Sequence, residues 1–459
     1  MTDRKRTIIF INLMITCIAS SMLATALNTA LPNMIDEFSI SVSTGQWITS
    51  AYSLAMGIMM PLTAFLITRF PTRKLYLSAI VYFLLGLILC SIAPNFSVLM
   101  CGRILQACGN GILTSMAQVI TLTIYPSEKR GTAMGWYGLS VGAAPVIAPT
   151  LGGIIVDAFS WRMIFYITIV IIIVSLIYAL IVFEDVLNTS KKSFDTISFM
   201  FSALAFGGVT LGIGNIGSFS FLSVQVLPLL AVGIVAGIVF SLRQFKLEEP
   251  FLDIRILSNK NYTLSVIGSM LLYLVMMGGS IIMPLYVQTI MKYGAAVAGL
   301  TMLPGSLIMA IISPFAGKIY DKLGMKVLFV TGTIFMFVST IAMVFITRDT
   351  SIWFASALFA VRSVAIGCLM MPLVTWGTSY IDRSRTAHAT ALLTSLRTIS
   401  GAIGQAVFVG IMTSVAAASA ASYGENAMMH GLNISFLSMS VGALALVIIA
   451  VFFVKKEKK

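Results

Sequence analysis

Apolar residues run along this chain in blocks of about 20, the length an α-helix needs to cross the hydrocarbon core of a bilayer. The blocks fall near residues 8–30, 46–68, 75–93, 97–124, 131–156, 162–183, 196–216, 221–242, 263–288, 296–317, 326–346, 352–377, 391–418 and 432–454, which predicts fourteen membrane helices. The longest polar connectors, Phe183 to Asp195 and Ser241 to Tyr262, divide them into six, two and six. The expected units are residues 1–186, a pair of linker helices in 187–258, and 259–459. The two outer groups resemble each other. The fourth helix of the first carries Arg103, followed by Tyr125 and Arg130; the fourth helix of the second carries Arg362, followed by Tyr380 and Arg385. Two related six-helix halves enclosing a midplane site is a common plan for secondary transporters.

Composition agrees. Hydrophobic residues make up 58% of the chain and charged residues 10%, against about a quarter charged in soluble domains. The net charge of +13 would suit nucleic acid, but its placement argues otherwise. Nearly every Lys and Arg falls in connectors on one predicted side, including Arg4 to Arg6, Arg69 to Lys74, Lys129 and Arg130, Arg243 to Lys260, Lys318 to Lys326, and Lys455 to Lys459. The other side holds only Arg162, Lys292 and Arg348. Under the positive-inside rule both termini are cytoplasmic. No cleavable signal is expected, because the apolar run after Arg6 has full spanning length. The tryptophans (Trp47, Trp136, Trp161, Trp353 and Trp376) fall near predicted helix ends, where indoles anchor. Cys17, Cys90, Cys101, Cys108 and Cys368 lie in apolar runs and read as small fillers.

The fifth span is the most unusual. Gly131, Gly135, Gly138, Gly142, Pro145, Pro149, Gly152 and Val156 recur at steps of three and four, on one helical stripe. In water such a helix would be penalised by about 1 kcal/mol per Gly and 3 per Pro; in lipid it survives, and its small residues admit a close neighbour. Three cations lie within spans. Arg103 opens a polar stripe with Gln106, Asn110, Thr114, Gln118 and Thr121, which reads as a wet face or a helix–helix hydrogen-bond seam. Arg362 stands without such a stripe. Arg397 is expected to snorkel to an interface. On the first helix Cys17, Ser21, Thr25 and Asn28 form a second stripe, facing the same cavity or bonding back to their own helix. Methionines cluster in the second and ninth helices (Met56, Met59, Met60; Met270, Met276, Met277, Met283), which suits an adaptable apolar pocket or plain filling. Every Asp and Glu lies in a connector or at a helix end, so no deeply buried carboxylate is expected as a proton carrier. His388 and His430 read as surface residues near helix ends. In the connector from Gly317 to Lys326, Gly317 and Gly324 permit turning, Asp321 can cap a helix start, and Lys322 and Lys326 sit at headgroup level.

No nucleotide loop, metal spacing or nucleophile–base set is present, so no enzyme, cofactor or metal site is expected. The motifs do resemble the major facilitator superfamily, and within it the fourteen-helix drug:proton antiporter branch of bacterial multidrug and lincomycin-type exporters. Gly142 to Gly153 resembles the antiporter signature, with Ala148 where a glycine is usual. Arg103 to Gly111 is similar to the fourth-helix motif tied to proton coupling. Gly317 to Lys326 resembles the superfamily's loop motif. Its first-half counterpart, Ala64 to Lys74, has Thr68 in place of the acid and Pro71 in place of a glycine. Asn28 to Pro32, Trp47 to Tyr52 and Trp161 to Phe165 are also family-like. Leu23 stands where many relatives carry an Asp, which weakens the expectation of cationic substrates.

The resemblance implies an all-α membrane protein of the major-facilitator fold, exporting amphipathic small molecules across a bacterial plasma membrane by alternating access with proton antiport. The expected pathway residues are Arg103, Gln106, Asn110, Asn28, Thr25 and Arg362. Gly138, Gly142, Pro145, Pro149, Gly152 and Gly153 form the antiporter-motif helix. Gly317, Asp321, Lys322, Gly324 and Lys326 form the gating loop. Neutral or anionic substrates are favoured by arginines without buried acids. The expected partners are substrate, protons and membrane lipids, with no nucleic acid and a monomeric chain. Two alternatives are an exporter of an endogenous lipid or metabolite and a non-transporting sensor or scaffold.

Overall fold

The computed structural model describes residues 3–455 apart from 46, 143, 188, 191–192 and 217–222, and leaves out the side chains of 28, 42–43, 145–146, 149–150 and 295–296. Each apolar block forms helix. In order they are α1 (Asp3–Phe38), the short α2 (Val42–Gly45), α3 (Trp47–Arg69), α4 (Thr72–Ser91), α5 (Phe96–Ile124), α6 (Arg130–Gly142), α7 (Ala144–Ala158), α8 (Trp161–Val182), α9 (Thr196–Asn215), α10 (Leu227–Lys246), α11 (Lys260–Leu285), α12 (Ala295–Leu323), α13 (Met325–Ala342), α14 (Ile352–Ser379), α15 (Thr386–Tyr423) and α16 (Ala427–Ile448). No strand occurs among the described residues. Among the described residues twelve helical stretches are long and apolar enough to cross a membrane, one of them the stretch Arg383–Phe453 that holds both α15 and α16. At 13 and 15 residues, α6 and α7 are each short of a full crossing. The eighth block starts at Leu227 rather than 221, with a proline in the first turn where its missing N–H costs nothing.

Contacts between helix ends define two rims. At the basic rim Lys5 pairs with Glu184, the Arg73 amide donates to Asp185, and the Ser190 amide donates to the Thr68 carbonyl. The Lys326 ammonium donates to the carbonyls of Ala450, Val451 and Val454, closing the end of the last helix. At the opposite rim Glu37 accepts from Trp161 at 2.6 Å and pairs with Arg162, which also donates to the Ala93 carbonyl. Basic residues thus gather on one rim, as the charge pattern requires. Trp47, Trp136 and Trp353 are exposed, but Trp161 and Trp376 are buried, Trp376 against Phe329 and Tyr380. For those two the expected lipid anchor is instead a packed ring.

Close approach through glycine organises the bundle. A Cβ on Gly86 would lie 2.6 Å from the Gln106 amide, and one on Gly102 2.6 Å from the Cys90 sulfur, so α4 and α5 meet nearly backbone to backbone. α9 and α10 do the same at Gly208 and Gly233. α9 packs this pair on α3 and on α15. Asp195 caps α9 by accepting from the Ser198 amide and hydroxyl, and it takes a forked bond from Arg243 at the end of α10. Burial would raise the Asp195 pKa, but the Ser198 and Arg243 bonds outweigh it and hold the carboxyl below its usual range. A depressed folded pKa stabilises fully above the unfolded value, near 4, and that stability is lost as pH falls through the folded value. Asp195→Asn keeps a capping oxygen but removes the charge facing Arg243, and is therefore expected to lower thermal stability at pH 7 by the order of a partly exposed ion pair, up to about 1 kcal/mol. The gap to the parent should close as a melting series is carried below about pH 4.

Candidate functional site

α5 holds the polar stripe. Arg103, Gln106 and Asn110 are buried, and α3 covers them. Arg103 Nε donates to the Ile48 carbonyl at 3.2 Å, and Nη1 donates to Gln106 Oε1 at 2.8 Å. Its guanidinium lies 4.0 Å from the Tyr52 ring centre. Asn110 Nδ2 donates to the Tyr52 hydroxyl at 2.7 Å, and Thr114 donates to Asn110 Oδ1. The network is knit around Tyr52, so the face expected to meet water is roofed by a neighbouring helix. Among the described residues two of its donors stay unmatched, Arg103 Nη2 and Gln106 Nε2. Further along, Gln118 faces the other way and accepts from Thr394 of α15 at 3.2 Å.

Arg362, on α14, turns toward α11 and donates to the Val275 carbonyl. Gly279 makes room for it, since a Cβ there would overlap the guanidinium. Arg397 does not snorkel. It is 5% exposed and lies against Tyr273, 4.8 Å from the ring centre. The side of α15 that carries Arg397 packs on α11, which encloses the guanidinium against Tyr273. His388 also differs from expectation: it is 3% exposed and accepts from the Asp253 amide at 3.4 Å. Thr25 is half-buried and bonds back to Ser21 and Met22. The side chain of Asn28 lies outside the described ones, as do those of Pro145 and Pro149.

The glycine stripe splits between two partners. On α6, a Cβ at Gly131 would lie 2.5 Å from Tyr320, one at Gly138 2.6 Å from Met371 and one at Gly142 2.8 Å from Met309. α6 thus presses on α12 and α14. On α7, Gly152 faces Ala26 and Thr29 of α1, whereas a Cβ on Gly153 would meet nothing within 4 Å. Among the described residues, then, no neighbour packs against Gly153. At the basic rim Asp321 joins α12 to α6: Oδ1 accepts from the Gly131 amide at 2.8 Å, and Oδ2 accepts from the Thr132 amide and hydroxyl at 2.7 and 2.6 Å. Gly324, at φ +76°, ends α12 in a conformation glycine adopts without strain, and Lys322 is exposed.

This joint of chain ends and close helices has counterparts. The model of the Major Facilitator Superfamily matches residues 10–405. The chain belongs to that superfamily. The superfamily relatives include the MFS-type transporter YcnB of Bacillus subtilis, 36% identical with 95% of this chain and 92% of that one covered. The lincomycin resistance protein LmrB of Listeria monocytogenes is 33% identical, covering 85% and 83%. The fold matches that of the proton:xylose symporter XylE, with a TM-score of 0.64 at 13% identity over 97% of both chains. This superfamily chain is thus a multi-pass membrane protein and a transporter by kinship, in the drug:proton antiporter branch, and its bacterial relatives imply a plasma-membrane location.

One contact in this superfamily member escaped the sequence reading. Thr68 stands where the loop motif expects an acid, and its hydroxyl bonds back within α3. The start of α15, which corresponds to the start of α6, receives a carboxylate from elsewhere: Asp253, in the connector after α10, lies 3.5 Å from Arg385. Leu252 is fixed by Gln244, and Phe251 stacks on Phe65 of α3. The connector therefore bridges α3, α10 and α15 at the basic rim. Asp253→Ala should loosen that rim while leaving the Asp321 joint intact. The check is faster amide exchange at 383–390 with unchanged exchange at 128–134.

Proposed function

We propose that the chain is a secondary active exporter of amphipathic small molecules, driven by proton antiport across the bacterial plasma membrane. Counting α6 with α7 as one crossing, and α15 and α16 as two, gives fourteen helices. We assign them to halves at 1–186 and 259–459, with linker helices in 187–258. The basic rim faces the cytoplasm, as the positive-inside rule requires, and a monomer suffices. The halves rock about the α6–α12 and α5–α15 contacts, exposing the interior to each side in turn.

The observation that carries this reading is the joint at Asp321. One carboxylate on α12 takes three donors from the first turn of α6, at the positive end of that helix. Such a joint holds while the basic rim is closed and breaks when it opens, so it biases one of two discrete arrangements. Arg103, Gln106, Asn110, Thr25, Asn28 and Arg362 remain the proposed pathway residues, reached when the bundle opens. Substrates are neutral or anionic, since among the described residues no carboxylate pairs with Arg103, Arg362 or Arg397.

The test is transport in proteoliposomes with an imposed pH gradient, using lincomycin, a neutral dye and an anionic dye as cargoes. Gradient-dependent accumulation of at least one is expected. Binding without flux under any gradient would leave the sensor reading standing, and preference for a cationic dye would overturn the substrate class.

A further inference from the structure

The three buried arginines are not equally served. Arg103 ends on a carbonyl and an amide oxygen, and Arg362 on the Val275 carbonyl. Arg397 has the face of Tyr273, while its Nε and Nη1 find no acceptor among the described residues. It lies eleven residues into α15, about 16 Å along the helix from its first residue and inside the span expected for 391–418. Stacking on an aromatic face offsets only part of what burying an unpaired cation costs.

Its surroundings point the same way. Thr390, Thr394 and Arg397 are spaced to share one face of α15, and that face meets α5. Thr394 gives its proton to Gln118 Oε1; among the described residues Gln118 Nε2 is then a buried donor without an acceptor, and Thr390 Oγ1 is likewise unmatched. Tyr137 of α6 lies within electrostatic reach of both Arg397 and Tyr273. The place where the halves meet is therefore lined by donors and a fixed positive charge, with no carboxylate paired to it among the described residues. We propose that it is an anion-binding site, centred on Arg397 with Gln118 as second donor, that takes a monovalent anion: the carboxylate of an organic molecule or a free halide. The anion enters as α5 and α15 part, and closure around it neutralises the buried guanidinium. Arg397 and Gln118 come from opposite ends of the chain, so occupancy couples directly to the apposition of the halves. The site stands whether or not the chain exports, because binding needs no gradient.

The test uses purified full-length protein in chloride-free buffer. Benzoate, its neutral analogue benzamide, the cation benzylamine, and chloride are titrated while thermal stability is followed. Benzoate should raise Tm saturably and the amide and amine should not. Arg397→Gln should weaken the apparent affinity at least tenfold, and Gln118→Leu should weaken it measurably. If Arg397→Gln does not fold, Arg397→Lys with Gln118→Leu supplies the comparison. Saturation by chloride at matching concentrations, lost with Arg397, assigns the site to a free halide. Saturation by benzoate alone assigns it to an organic carboxylate. No anion-dependent shift in the parent, or a shift that survives in the Arg397 and Gln118 variants, would overturn the proposal.

Discussion

Gly317→Val is expected to abolish gradient-driven transport and to open the basic rim. A Cβ at residue 317 would overlap the carbonyl oxygen of Gly131 and lie 2.9 Å from Thr132 Cα. These are backbone atoms, so no rotamer change relieves the clash; α6 and α12 must separate. Overpacking in a rigid contact costs about 1–3 kcal/mol. Here the separation also withdraws Asp321 from the Gly131 and Thr132 amides, removing charge-assisted bonds worth about 1.5–3 kcal/mol each. The second readout is accessibility. In a chain whose native cysteines are replaced, Thr394→Cys should be protected from a membrane-impermeant thiol reagent and become reactive when Gly317→Val is added. Asp321→Asn, which keeps the shape and one acceptor oxygen, should give a milder form of the same change. Unchanged labelling together with unchanged flux in Gly317→Val would remove the seam from the mechanism.

That joint shows what a linear chain discloses. Gly131 and Gly317 lie far apart in sequence, yet each announced itself, one by helical spacing and the other by a turn-and-charge pattern. Their meeting could not be read, because pairing between helices depends on how complementary surfaces settle in three dimensions. The helices themselves were legible because a bilayer imposes length and hydrophobicity on each segment separately. The burial of Arg397 and His388 was not. Position along a helix gives depth, whereas burial depends on neighbours that arrive from α11 and from the connector holding Asp253. Arg103 was readable as a polar-stripe residue, but the spacing of Gln106 and Asn110 fits a wet face and a sealed one equally well. The choice was made by Tyr52 of α3, an aromatic with one polar atom, for which the sequence offered no reason to suspect a guanidinium partner. Gly153 shows the limit from the other side, a motif residue with no neighbour near enough to need it among the described residues.

Arg103→Ala is expected to lower proton-driven flux by two orders of magnitude or more while the fold persists. The guanidinium is the one cation in its network, and it holds the Ile48 carbonyl, Gln106 Oε1 and the Tyr52 ring in a single arrangement. Without it Tyr52 is left to Asn110 alone, and the contact between α3 and α5 gains a second way to pack. The fold should survive because α4 and α5 interlock nearly backbone to backbone through Gly86, Gly102 and Gly109, and the nearest atoms at those contacts come from Ala79, Phe83, Cys90 and Gln106 and from the glycines themselves. Arg103→Lys should not restore flux. A lysine brings the charge but not the fork that reaches a carbonyl and an amide oxygen together while lying flat on a ring. Transport in proteoliposomes under a pH gradient, with circular dichroism and a melting curve for each variant, separates the cases. Full flux in Arg103→Ala would assign the residue to packing, whereas lost flux with a parent-like melt would place it in the coupling step. If Arg103→Lys instead recovered most of the flux, charge alone would be the requirement and the Tyr52 stack incidental.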